Sequence, residues 1–171
     1  YLKELSALAF FSSLSFILVS SKPNKLYLEL SFNYLKLSEY NLAFKNIESN
    51  DCRLKTQLTR MVVDISCNSI DRKTVSALNV EFPRINEKYL VKNYRYAYLV
   101  MRTTQAEFFN SIIKIDLSNN DIIEYCFGND YVSEPIFIAN PQAQTEDDGL
   151  YICKCYRYGQ ETYLYCLFKC N

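Results

Sequence analysis

YVSEPIFIANPQAQTEDDGLY, residues 131–151, is the stretch on which the fold of the chain turns. Pro135 restricts Glu134 to an extended backbone, and Ile136, Phe137 and Ile138 follow as a short apolar run of the kind that buried strands use. A carboxylate at the start of such a run is expected to point inward. The segment from Asn140-Pro141 to Asp148-Gly149 carries turn punctuation, with Pro fixing φ at its start and Gly open to positive φ at its end. The pattern predicts a strand, an ordered loop and a second strand.

Outward from this stretch the same unit recurs. Ser111 to Leu117 and Asp121 to Phe127 read as strands joined across Ser118-Asn119-Asn120, and Leu150 to Arg157 and Thr162 to Phe168 as strands joined through Tyr158 to Glu161. Upstream, Leu26, Leu28 and Leu30 alternate with Tyr27 and Glu29, and Thr59, Met61, Val63 and Ile65 alternate with Arg60, Val62 and Asp64. Ser66 to Arg72 reads as a polar closure, with another strand from Val75 into Val80. Tyr94, Tyr96, Tyr98 and Val100 share one face of the next strand, a row read as core packing. A short helix is expected to open at Ser38-Glu39-Tyr40 and run through Lys45. Fifteen Tyr and eleven Phe against three Gly favour pleated surfaces over helices. Meanders of short strands at near-regular spacing predict an all-β propeller or sandwich.

At 171 residues, 49% hydrophobic and 22% charged, the chain has the balance of a globular domain with a sizeable core. Nineteen basic residues cancel nineteen acidic ones and form no stripe, so no nucleic-acid partner is implied. The chain has no histidine, which removes the commonest neutral metal ligand and the commonest general base near neutral pH. Histidine-dependent chemistry would have to be supplied from outside it. Seven cysteines without compact spacing read as reduced thiols of a cytoplasmic protein. Four of them, Cys153, Cys155, Cys166 and Cys170, leave a zinc reading open, since four thiolates can close a tetrahedral site. Leu5 to Ser20 is an uncharged apolar run, short for a membrane span, and reads either as a buried or mis-joined segment or as a targeting or membrane segment. Residues 1–22 are therefore set apart from a β domain over 23–171.

Two segments pair a carboxylate with proline at a strand start: Glu81-Phe82-Pro83-Arg84-Ile85-Asn86 and Ser133-Glu134-Pro135-Ile136-Phe137. A surface or ion-paired glutamate is one reading of each. The other is a carboxylate that accepts a hydrogen bond from a metal-bound imidazole and so fixes its orientation. Together with IIKIDL (residues 112–117) and the E-D-D-G of residues 146–149, in that order and spacing, these segments resemble the carotenoid cleavage oxygenases. The resemblance implies a seven-bladed β-propeller, of which this chain would hold two to three blades. It also implies one Fe(II) on four histidines, O2 and a carotenoid or retinoid as substrates, and peripheral membrane contact. Two of the family's three glutamates that brace the iron histidines match Glu81 and Glu134. No residue here matches the histidines, so the chain alone is expected to bind no iron, to be inactive, and to need the remaining blades. The alternatives are a non-catalytic polyene-binding member of the family and a small β-rich zinc protein.

Overall fold

The computed structural model describes residues 16–22, 25–33, 56–90 and 92–170, with the backbone alone for the first two segments. Three antiparallel sheets follow one another along the chain. The first runs in the order β1 (Phe16–Lys22), β2 (Lys25–Asn33), β3 (Thr56–Asp64) and β4 (Ser69–Ser76). The second runs β5 (Val80–Arg84), β6 (Tyr96–Met101), β7 (Ser111–Asp116) and β8 (Asp121–Cys126). In the third, β9 (Tyr131–Val132) and β10 (Ile136–Ala139) share one edge of β11 (Gly149–Arg157), and β12 (Thr162–Lys169) lies on the other. Each sheet is a meander in which sequence neighbours pair. Stacked face to face in chain order, they are blades of a β-propeller, two of four strands and a third with three strand positions.

The second blade shows why the stack holds. Strand side chains alternate between faces, so Ala97, Leu99 and Met101 of β6, with Ile113 and Ile115 of β7, face the first blade and pack with Leu58. Val100 and Ile112 face the other way, onto Val132, Cys153 and Cys155 of the third blade. Every residue of β7 is buried, as befits a strand covered on both faces. Beside it, Tyr98 stacks on Phe137 at 5.1 Å and meets Tyr151 edge-on at 4.4 Å.

Several expectations shift by a few residues, each for a local reason. Ile65 is exposed in a turn, because β3 ends at Asp64, whose carboxylate accepts hydrogen bonds from the Ser66 amide and hydroxyl. Much of the polar segment read as a closure is β4, an edge strand that tolerates Asp71, Arg72 and Lys73 because its faces are open to water. Tyr94 lies before β6 and packs toward the first blade, where Arg60 reaches its hydroxyl, so it does not share the face of Tyr98. The strand of Ile136 and Ile138 is not buried: both side chains are exposed, and only Phe137 turns onto the second blade. Phe16–Lys22, the end of the apolar run, pairs with β2 in the first sheet, so the 22/23 boundary falls between two paired strands. The helix expected from residue 38 lies outside the described residues.

Gly149 also has a different reason from the one its position suggests. It is not among the positive-φ residues, which here include Gly128 and Gly159. Instead it starts β11 where β10 crosses close by, and a Cβ built on it would collide with the Ile138 carbonyl oxygen and lie 2.6 Å from the Phe137 ring. Backbone and a packed ring cannot both yield. Gly149→Ala is expected to destabilise the chain by about 2–3 kcal/mol, read from the midpoint of urea unfolding, whereas alanine at exposed Gln105 should leave the midpoint unchanged.

Candidate functional site

Glu81 and Glu134 sit at matching places on adjacent blades, each at a bulge in the innermost strand. In β5, Glu81 pairs with Val100 and Arg84 with Tyr98, so three steps along one strand oppose two along its neighbour. In the third blade, Val132 pairs with Cys155 and Ile136 with Ile152, so four steps oppose three. Each bulge carries a proline, Pro83 or Pro135, whose missing N–H removes a ladder donor at the point where pairing slips. At the first bulge Phe82 adopts φ 51, a left-handed conformation costing about 1–2 kcal/mol for a residue with a Cβ, offset by packing of its ring edge-on to Phe109. At the second, Ser133 repairs the ladder: its amide donates to Lys154 O and its hydroxyl accepts from the Lys154 amide.

The two bulges are bridged. Arg84, three residues beyond the first carboxylate, donates from Nη2 to Oε1 of Glu134 on the next blade. Glu134 is about a third exposed and Glu81 is half-buried. The structure thus places both sequence-predicted carboxylates at bulges in the first strand positions of adjacent blades and joins the second to Arg84, a partner that neither spacing nor composition announced.

Behind this edge, the E-D-D-G loop locks the third blade to the second. Glu146 accepts from the backbone amides of Arg95 (2.8 Å) and Tyr96 (2.9 Å) at the start of β6, and its carbonyl accepts from Asn86 Nδ2 at 2.8 Å. Asp147 accepts from Lys114 Nζ at 2.6 Å, and the same ammonium donates to Cys170 O at 2.6 Å and lies 4.3 Å from the centre of the Tyr96 ring. Only 7% of the Lys114 side chain and 15% of Asp147 remain exposed. Asp148 accepts from Asn140 across the loop. Arg95 in turn grips Asp116 through Nε and Nη2 at 2.6–3.0 Å, and Ser118 donates twice to the same carboxylate. What reads in sequence as an acidic turn is three carboxylates with three separate partners.

Burial works against the Asp147 carboxylate, yet the hydrogen bonds from Lys114 and Thr145 outweigh it and hold its pKa below the ordinary range. The Arg95 hydrogen bonds hold Asp116 lower still. The four cysteines do not converge on a zinc site. Cys153, Cys155 and Cys166 pack between the blades with Val100 and Ile112, whereas Cys170 belongs to the Tyr98 and Tyr151 cluster. Burial pushes the Cys153 thiol up to about 12, against the thiolate that zinc requires. Among the described residues no three or more Cys, Asp or Glu side chains are arranged to hold a metal ion, and no helix is long and apolar enough to cross a membrane.

Comparison with known proteins follows the same segments. The family model described as retinal pigment epithelial membrane protein matches residues 19–168, which is most of the chain. The chain belongs to this family. A carotenoid isomerooxygenase of Drosophila melanogaster is 42% identical over 71 residues, 41% of this chain and 12% of that protein. An apocarotenoid-15,15'-oxygenase of Synechocystis is 27% identical over 104 residues, 59% of this chain and 21% of that protein. The structure of the cobalt-substituted Synechocystis enzyme superposes on 91% of this chain with a TM-score of 0.78 at 21% identity, so it speaks for the fold, and the match takes in 33% of that chain. The chain thus spans a third or less of these family members.

Because Asp147 and Asp116 have depressed pKa values in the folded state, their contribution to stability is complete above the unfolded carboxylate value of about 4 and is lost as pH falls below it. Melting temperature is expected to be flat from pH 7 to 5 and to drop below pH 4, with a shallower drop in Asp116→Asn. Lys114→Met leaves Asp147 buried without its cation and is expected to cost about 3–5 kcal/mol in urea unfolding, most of it recovered in Lys114→Met/Asp147→Leu.

Proposed function

We propose that this chain is the carboxylate-bearing part of an iron(II)-dependent oxygenase that cleaves a carotenoid or retinoid double bond with O2. The observation that carries the reading is the pair of equivalent bulges, each presenting a glutamate beside a proline on the innermost strand of its blade. A bulge re-aims one side chain out of the alternation, and inner strands line the axis of a propeller, where an iron with O2 could meet a polyene. The names of the relatives support the same substrate class, as carotenoid isomerooxygenases and an apocarotenoid oxygenase.

The chain's own residues do not fit an iron held by histidines, since it contains none. Its part is to orient: an ionised Glu134, held by Arg84 through one oxygen, keeps the other free to accept an N–H from an imidazole supplied by the rest of a propeller. The third blade offers a place for that rest. Its far face carries Ile136, Ile138, Leu150, Tyr165 and Leu167, all exposed, with Tyr165 at 74%. Alternation along β10, β11 and β12 puts them on one side, the side turned away from the second blade. A following blade would cover them as the third blade covers Val100 and Ile112.

The test is a transplant. Residues 80–170 replace the matching strands of the Synechocystis apocarotenoid oxygenase, and loss of apocarotenal absorbance is followed with Fe(II) supplied. The chimera is expected to cleave, and Glu134→Gln or Glu81→Gln within it to lower activity or metal affinity by about 10–100-fold. A folded, iron-loaded chimera indifferent to both substitutions would overturn the orienting role.

A further inference from the structure

Three thiols of the third blade take no part in the proposed function. Cys153 of β11 and Cys166 of β12 stand directly opposite each other in the antiparallel ladder. Cys166 also packs in one cluster with both Cys153 and Cys155. Opposed residues in such a ladder hold their Cα atoms about 4.5–5.5 Å apart, within the span of a disulfide. All three are free thiols. They differ in access: Cys153 and Cys155 are 2% exposed, and Cys166, on the strand at the blade's outer edge, is half-buried.

We propose that Cys166 and Cys153 form a redox modification site, in which a low-molecular-weight disulfide enters at Cys166 and Cys153 resolves the adduct into a cross-strand disulfide. In the first step the Cys166 sulfur attacks one sulfur of glutathione disulfide, forming the mixed disulfide and releasing one glutathione thiol. In the second, the Cys153 sulfur attacks Cys166 sulfur, closing the protein disulfide and releasing the second glutathione thiol. Two protein thiols are oxidised by two electrons, one glutathione disulfide is reduced, and both protons leave on glutathione.

Access sets the order of the steps. Burial keeps Cys153 protonated, with its thiol pushed up to about 12, and away from bulk reagents, so it meets an electrophile only when Cys166 carries one to it. Register sets the partner. Cys155 is opposite Leu164 rather than Cys166, so it reaches Cys166 only along the diagonal. The bond would tie β11 to β12 on the face that packs against Val100 and Ile112 of the second blade, fixing the edge strand of the sheet.

The full chain, carrying Cys126→Ser so that Cys153 is the only cysteine of its tryptic peptide, is incubated with glutathione disulfide under native conditions, alkylated, digested and mapped by mass spectrometry. Trypsin cuts after Lys154 and so separates Cys153 from Cys155. The expected dominant product links residues 115–154 to residues 158–169, with the loss of two hydrogens. Cys155→Ser should leave that link in place, Cys166→Ser should abolish it, and oxidation in guanidinium should erase the preference for it. A stable glutathione adduct at Cys166 with no link, a dominant Cys155 to Cys166 link, or three unmodified thiols in folded protein would each overturn the proposal.

Discussion

The ammonium of Lys114 and the carboxylate of Asp147 meet between two blades, in a place that neither could occupy alone. Removing either charge from water costs several kcal/mol, and the cost is tolerated because every donor direction of the ammonium is used: a carboxylate, the Cys170 carbonyl and the face of Tyr96. The pairing also sets position. Asp147 lies between Glu146, which accepts from the first two amides of the Arg95-Tyr96 step, and Asp148, which closes the loop on Asn140. Two neighbouring carboxylates of one loop are thus matched at once to the Lys114 ammonium and to the Arg95 and Tyr96 amides. The register of the third blade on the second therefore rests on polar groups, while Val100, Ile112, Cys153 and Cys155 supply apolar packing between them.

That division explains what could be read from the chain alone. Period-two alternation located most strands, because it is a property of each strand by itself, and the tyrosine-rich, glycine-poor composition marked the class. Strand ends were less legible. Asp64, Asn120 and Gly149 act through a side-chain cap, a left-handed turn and a close approach of β10, and only the second of these leaves a local mark in sequence. Ile136-Phe137-Ile138 looks like a buried strand because its far face is as apolar as its near one. In the structure the near face meets Tyr98 and Tyr151, and the far face is exposed.

The candidate site was half legible. Glu81 and Glu134 stood out because a carboxylate beside proline at a strand start is unusual, and the structure gives that oddity a geometric form, one extra residue in each inner strand. Arg84 and Lys114 did not stand out. Each is an ordinary cation in an alternating or apolar run, and its partner is 50 or 33 residues away on another blade. Long-range pairing of this kind has no periodicity to betray it. The segments that carry the family resemblance are nevertheless those that meet: Asn86 of the first motif donates to the Glu146 carbonyl of the last, and Lys114 of the middle one pairs with Asp147.

The same contacts tie the candidate site to the blade interface. Asn86, two residues past Arg84, is buried and bonded to the E-D-D-G loop, so the end of β5 cannot move relative to the third blade without breaking that bond. Arg84 is thereby carried within reach of Glu134, which precedes β10, the strand that leads into the same loop. The orienting role proposed for Glu134 requires that the carboxylate itself be held, because an error in its position would pass directly into the direction of the N–H it accepts. The buried pair at Lys114, the carbonyl-amide bond at Asn86 and the Arg84 bridge form one continuous set of fixed contacts from the interior of the interface to the inner edge. Glu134 stands at the end of that set, with one oxygen engaged by Arg84 and its strand pinned by Ser133 and Pro135 on either side.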